Sequence, residues 1–448
     1  MTDDKTTPPA RPTVLVPAQS TAAAPRPGRM KHLRRRGKPT WGVVGWSIFV
    51  VVMGVVVGAG LSIGLWSMFR GVLPWHDAGR GKVEGIDLVK LALSVVAGAG
   101  GAVALTVSVL KQRILERDAE GQRAVDAAFR SRYGEAATQL GSDRAAVQLA
   151  GVYAMANLAD DWPEQRQQCV DVLCGFLRLP PPTDDALKAS DAKVRTTIGA
   201  VLRDHLQKDG LWCSLDFNLT GAYLVDLNLD GALFAGKNTS FVGAEFAGKK
   251  TSFEKANFTG QTISFSRANF ASEYTSFYEA EFTGENTVFD RALFTGKTTS
   301  FVGAKFTGAT TFFDGAKFTG ETTSFIWAKF TGKNTSFDGA KFTGENTLFT
   351  EVEFTGKTTS FDEAEFTGEN TVFVGAEFTG EYTSFDRAKF TGEKTSFAWA
   401  LFAGEKTSFT WAKFTGEREA VFAGASIPED AVRKARFGVE RNADEAES

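Results

Sequence analysis

Three histidines and three cysteines are the side chains best suited to catalysis or metal binding in this chain of 448 residues. Their positions keep them apart. His32 falls in a basic leader, His76 in a short external connection and His205 in a helical segment, so none can act as a base for the repeats that follow. Cys169 and Cys174 have a C-x4-C spacing on a predicted helix, which puts them on different faces and is not the spacing of a zinc site. A serine ladder (Ser240, Ser252, Ser276, Ser300) lacks a neighbouring base to activate it. The recurrent Thr-Gly pair lacks the lysine of a phosphate-cradling loop and reads as corner chemistry. No catalytic, cofactor-binding or metal-binding residue is therefore expected, and the chain is not expected to be an enzyme. Fifty basic residues against 53 acidic ones give a net charge of −3, which argues against a direct nucleic-acid partner.

With no reactive constellation in view, the elements themselves carry the information. Residues 1–40 read as a disordered leader, with Arg26, Arg29, Lys31, Arg34, Arg35, Arg36 and Lys38 unopposed by any acid between 26 and 38. An uncharged apolar block, 41–69, follows directly and exceeds the ~20 residues that span a bilayer. Its tryptophans Trp41, Trp46 and Trp66 lie near the ends, where amphipathic rings favour the interface. It is too long and too far from the N-terminus for a signal peptide. After a short external connection (70–90), a second uncharged block (91–110) has spanning length and a small-residue run, 97–102, that would let two helices approach closely. A buried helical hairpin in a soluble protein is the alternative. The Lys/Arg bias places both termini in the cytoplasm of a multi-pass cell-membrane protein, with the lipid bilayer as one partner. A reducing compartment fits three unpaired cysteines.

Residues 111–207 carry apolar residues at helical spacing and predict an all-α adaptor of about four helices. One helix is expected over 113–140. A second is capped by Ser142-Asp143, with Val147, Leu149, Val152, Tyr153 and Leu158 on its apolar face. A third starts at Trp162-Pro163, and a fourth is capped by Ser190-Asp191.

From Phe234 onward the chain repeats itself, which explains its 39 phenylalanines and 46 glycines. One Phe ladder recurs every twelve residues (Phe234, Phe246, Phe258, Phe270, Phe282, onward to Phe414). A second, offset by seven, runs Phe241, Phe253, Phe265, Phe277, Phe289 and onward to Phe409. Ala stands two before the first ladder (broken by Val352), Thr two before the second (broken by Ile263), and Gly two after the first (with Ser272 an exception). The preceding Leu219, Leu224, Leu229 and Phe234 are spaced by five. This pattern over 214–424 resembles the pentapeptide-repeat family, whose unit has a small residue, a polar one, then Leu or Phe; the twelve-residue unit is two pentads plus two residues. Together with the two-span leader it is similar to membrane-linked, actinobacterial members of that family.

The resemblance implies a right-handed, four-sided parallel β-helix. Alternation with period two lets the small and the large residue both point inward, and only stacking of coils can bury the Phe rings. Two coil sizes fit: one repeat of twelve residues, or two repeats of 24, the second being favoured because four Phe then fill a square interior. Residues 425–448 are expected to form a capping helix and a polar tail. Outward positions vary and read plainly as a solvated face, apart from Trp327, Trp399 and Trp411, which share one register and offer a contact patch. In a 24-residue coil Trp327 and Trp399 align, and Trp411 falls on the opposite side. The expected function is a membrane-tethered scaffold presenting its rod to an unidentified protein partner. The alternative is a mimic of duplex DNA that binds gyrase, as some members of the family do. Eighteen basic residues against 22 acidic ones over 231–416 weigh against such mimicry.

Overall fold

The computed structural model describes residues 85–415 and 421–438, with isolated positions at 53, 56, 60 and 63. The leader, the first apolar block 41–69 apart from those positions, residues 70–84 of the external connection and the polar tail lie outside the described residues. The chain divides into two units, 1–121 and 122–448. Its first long element, α1, is a 56-residue helix, Gly85–Leu140. The second apolar block and the helix expected over 113–140 are thus one continuous helix. Among the described residues no helix is long and apolar enough to cross a membrane.

Three further helices follow: α2 (Ala145–Asp161), α3 (Arg166–Leu177) and α4 (Asp185–His205). α2 buries Val152, Met155, Ala156 and Ala159, one apolar stripe at helical spacing. Tyr153, expected in that stripe, is exposed. Gly151 lets α2 approach the end of α1, because a Cβ there would lie 2.5 Å from the Leu140 backbone nitrogen. The expected caps differ from those observed. Ser142 accepts a hydrogen bond from the Arg144 N–H (3.2 Å) without capping α2. α4 starts earlier than expected, where Asp184 accepts from the Ala186 N–H at 2.9 Å. Asp191 consequently lies inside α4 and binds Arg195 instead.

From Phe217 the chain winds into a parallel β-solenoid with four sheets of nine, ten, seven and eight strands. They are the first to fourth faces in the order one coil meets them: Asn286–Val288, Leu293–Phe294, Thr298–Ser300, Lys305–Phe306. Pairing settles the coil size. Thr275 lies beside Thr299 and Phe282 beside Phe306, a separation of 24 residues. The sides alternate between seven and five residues. The first coil has only one lengthened side, so Phe217 pairs with Thr239, a separation of 22. At ~4.8 Å between strands, the nine-stranded sheet is roughly 40 Å long.

Inside, both Phe ladders split into two columns each. Rings one coil apart stack almost in parallel, as in Phe282–Phe306 (4.7 Å between centroids, 1°). Rings from different columns meet edge to face, as in Phe289–Phe301 (5.7 Å, 89°). The ladder phenylalanines from Phe241 to Phe397 are essentially inaccessible to solvent. Such ring pairs add about 0.5–1.5 kcal/mol each beyond area burial.

The corner chemistry differs from the expected one. The four-residue turns after the second ladder close with a hydrogen bond, as from the Ala280 N–H to the Phe277 carbonyl (3.1 Å), except at Phe349, where Val352 replaces the alanine. Their third residue takes a left-handed φ, for example Glu279 at 52° and Trp327 at 58°. The Thr-Gly glycine has a different task. A Cβ on Gly308 would lie 1.8 Å from the Gly284 carbonyl oxygen, so glycine is needed there for coils to approach, not to turn a corner.

Both ends of the rod are closed by the chain. At the start, the Leu233 and Ala235 N–H groups donate to the Leu206 and Cys213 carbonyls (2.7 Å each), and buried residues of α2, α3 and α4 share one core with the first coil. The helical segment is therefore the rod's lid. At the far end the helix expected over 426–439 is absent. One 3-10 turn, Glu429–Val432, and a strand, Arg436–Phe437, form an irregular last coil instead. Phe437 stacks on Phe414 (5.0 Å, 8°) and Phe422 on Phe397 (5.2 Å, 19°). The reason is legible in the residues: Phe422, Ile427, Val432 and Phe437 return to a spacing of five, and a five-residue period suits a coil side rather than an amphipathic helix.

Candidate functional site

His32 and His76 lie outside the described residues; among the described ones the reactive side chains gather at the lid rather than on the rod. Asp160, at the end of α2, accepts from the Trp212 indole N–H (2.9 Å) and faces His205 Nε2 at 3.1 Å. The other ring nitrogen of His205 lies 2.7 Å from the Val201 carbonyl oxygen. Both nitrogens face acceptors, so the doubly protonated ring satisfies the site best. The Asp160 hydrogen bond raises the His205 pKa. Burial works to raise that of Asp160, yet the bonds from His205 and Trp212 hold it below its ordinary value. The fully buried Trp212 ring stacks on His205 at 4.1 Å, and Arg166 donates to the Ala159, Asp160 and Leu211 carbonyls. The cluster joins α2, α3, α4 and the chain entering the first coil, and every polar group in it is engaged in holding that joint.

Cys169 and Cys174 are buried in α3, and burial pushes their thiols up to about 11 and about 12. Neither is a thiolate nucleophile. Among the described residues no group of His, Cys, Asp and Glu could hold a metal ion. A polar hollow of about 600 Å³ lies between α3 and the first coil, lined by Gln167, Asp171, Arg178, Asp216 and Asn238.

On the rod, the three tryptophans do not form one patch. Trp327 and Trp399 stand in one column three coils apart, and Trp411 stands at the opposite corner. All three are exposed, but each leans on a neighbour. The Trp327 indole donates to Glu351 (2.7 Å), the Trp399 ring packs on Gly424, and the Arg436 guanidinium lies 5.5 Å from the Trp411 ring. The last two are contacts with the closing coil.

The organised surface lies in columns that the 24-residue coil creates. From Phe289 to Phe397 the residue after each second-ladder Phe reads Asp290, Val302, Asp314, Ile326, Asp338, Thr350, Asp362, Val374, Asp386, Ala398, whereas Val242, Glu254 and Ser266 before this stretch and Thr410 after it break the pattern. Acidic residues thus stack on the corner between the first and second faces, and mostly apolar ones on the corner between the third and fourth. Tyr278, one coil after Glu254, opens the apolar part of its column, flanked by Trp327, Trp399, Leu348 and Val372; all of these side chains are exposed or half-buried. On the acidic corner each carboxylate braces the next coil: Asp338 accepts from the Ser360 hydroxyl and from the Asp362 N–H. Burial first, and the neighbouring carboxylates with it, raise the pKa values of Asp338 and Asp362 against the opposing hydroxyl bonds. The alternation of Asp with apolar residues along the sequence is itself the mark of a two-repeat coil, and it is the signal that a twelve-residue reading averages away.

Comparison with models of known families, with curated proteins and with solved structures returns no match for this chain.

Proposed function

We propose that the chain is a membrane-tethered, non-catalytic scaffold whose rod, of the pentapeptide-repeat kind, displays a docking surface to a protein partner. The observation that carries this reading is the segregation of the rod surface into one acidic and one apolar corner, since an exposed apolar column persists on a soluble surface at a cost unless it is used. The five-residue spacing at both ends of the rod supports the family assignment. Tethering rests on the uncharged blocks 41–69 and 91–110, and on the exposed Leu105, Leu110, Ile114 and Leu115 of α1. The basic leader favours cytoplasmic termini.

The DNA-mimic reading is weaker. The second face, flanked by the stacked aspartates on one side and by Glu321, Glu345, Glu369 and Glu393 on the other, carries Lys317, Lys341 and Lys389 between them, which interrupts a phosphate-like field.

The test is membrane fractionation of the full chain with and without residues 41–110, joined to proximity labelling from the C-terminus with and without 214–424. The full chain should resist carbonate extraction, the shortened one should not, and labelling should depend on the rod. A full chain recovered in the soluble fraction overturns the tether; labelling indifferent to the rod overturns the scaffold; recovery of gyrase subunits favours the mimic.

A further inference from the structure

The apolar corner does not stand alone. Across the third face from it, Glu321, Glu345, Glu369 and Glu393 stack at successive coils. Among the described residues none of them has a cationic partner within ion-pair distance, whereas glutamates on other faces do, as in Lys341–Glu365 and Lys329–Glu353. The strip between the two columns is neutral through the middle of the rod: Thr298, Thr322, Asn346 and Asn370. From Glu345 to Thr350 the chain advances five residues, at most about 17 Å, wide enough to seat one α-helix of about 10–12 Å diameter.

Resting on the reading of the rod as a docking surface, we propose that the third face binds a basic amphipathic helix laid along the rod axis. Its apolar stripe would lie on Ile326, Leu348, Val372 and Val374, with Trp327 at the margin. Its lysines or arginines would meet the unpaired glutamate column. The periods agree: a helix advances ~5.4 Å per turn and the rod ~4.8 Å per coil, so a cation on each of three successive turns finds a carboxylate. A large aromatic beside desolvated aliphatic contacts is the usual anchor of such a seat, and two stacked rows of opposite character fix the orientation of the helix about its axis. The acidic corner lies off this face, and its carboxylates are occupied by the hydroxyls and N–H groups of the next coil.

The test uses the full-length chain in a nonionic detergent, with detergent alone as baseline. The probe is a labelled synthetic helix of about 18 residues with one Leu stripe and one adjacent Lys stripe, read by fluorescence anisotropy. Saturable binding is expected that weakens with salt. The double variant I326D/V374D and the double variant E345K/E369K should each lower affinity about tenfold or more. D338N, on the other corner, should leave it unchanged. All variants sit on exposed or half-buried positions, and unchanged circular dichroism certifies the fold. The inference is overturned if the I326D/V374D variant binds as the parent does, if a helix with Glu in place of Lys binds equally well, or if the face is instead closed by a second copy of the chain. Sedimentation would show that last case as self-association lost in I326D/V374D. Failure here with rod-dependent labelling intact removes the helix partner and leaves the scaffold standing.

Discussion

Arg195 in the lid and the threonines inside the rod are both buried polar groups, and they are accommodated in opposite ways. Arg195 is 3 % exposed, and its guanidinium donates to Asp191 and to the Leu177, Leu179 and Tyr223 carbonyls. It also lies 5.6 Å from the rings of both Phe176 and Tyr223. One residue thereby closes the C-terminus of α3, anchors α4 and holds the first coil. The inward threonines recur in almost every repeat, Ile263 being the exception, and several of their hydroxyls, at Thr239, Thr275 and Thr287, have no partner at all. A repetitive core spreads its energy over identical contacts between neighbours, so a few imperfect hydroxyls are tolerated. The lid is built once, and the polar groups at its joint with the rod, Arg195, Asp160, His205 and Trp212, are each satisfied. Gln165 Oε1 is the one buried lid side-chain oxygen without a partner among the described residues.

The largest effect that sharpens this contrast is expected from Arg195→Ala. Removing one partner of a buried ionic network costs about 3–5 kcal/mol, because Asp191 and three carbonyls lose their donor together. Denaturant unfolding of the full chain should show an early transition for the lid, with the rod following later. A single transition displaced by less than about 1 kcal/mol would mean that the network is redundant, and the contrast would fail.

How much of this was legible beforehand follows the same division. The Phe ladders could be read because they repeat many times, the four-sided parallel coil through the resemblance that this repetition carries, and the helical segment from apolar residues at helical spacing. The lid's function could not: Arg195, Asp160 and Trp212 are single residues brought together from α4, the end of α2 and the chain beyond α4, and no spacing links them. The helix expected over 426–439 failed for a different reason. Pro428 invited a helix start, while the five-residue return of Ile427, Val432 and Phe437 was the stronger signal. The corner glycine was misread because glycine has two uses, left-handed turns and close approach, and only the stacked coils reveal which applies. The apolar and acidic corners were hidden because adjacent repeats lie on opposite sides of the rod.

A smaller effect of opposite sign is expected inside the rod. Thr287→Val keeps the shape and removes a hydroxyl that has no partner, so it should stabilise by about 1 kcal/mol. Thr251→Val removes a hydroxyl engaged with Ser272 at 2.8 Å and should cost about as much. Equal shifts for the two would show that packing, not hydrogen bonding, governs the inward threonines.

The finest separation of the two regions is by pH, through groups whose pKa values move in different directions. Asp160 is held below its ordinary value, so its contribution to the lid is present above the unfolded carboxylate pKa and is lost as pH falls through the depressed one. His205 is raised above 6.5; its contribution is complete below that value and is lost as pH climbs through the raised pKa. The lid should therefore hold best between these limits. Asp338 and Asp362 on the rod corner are raised from 3.8, which means that the folded coil favours their protonated forms. Their ionisation weakens the rod as pH rises from 3.8 through the raised values, and acidification through that window strengthens it. Hydrogen-exchange protection, corrected for intrinsic rates, should accordingly rise along the corner of Asp338 and Asp362 on acidification. It should fall around Glu254 and Glu365, whose carboxylates are held below 4.5 by hydrogen bonds from lysines, and at the lid once Asp160 protonates. In D338N/D362N the corner's response should shrink and the lid's should persist. Corner and lid losing protection together on acidification would mean that the stacked carboxylates do not repel one another in the folded coil, and that the serine hydroxyls and N–H groups of the next coil outweigh their burial.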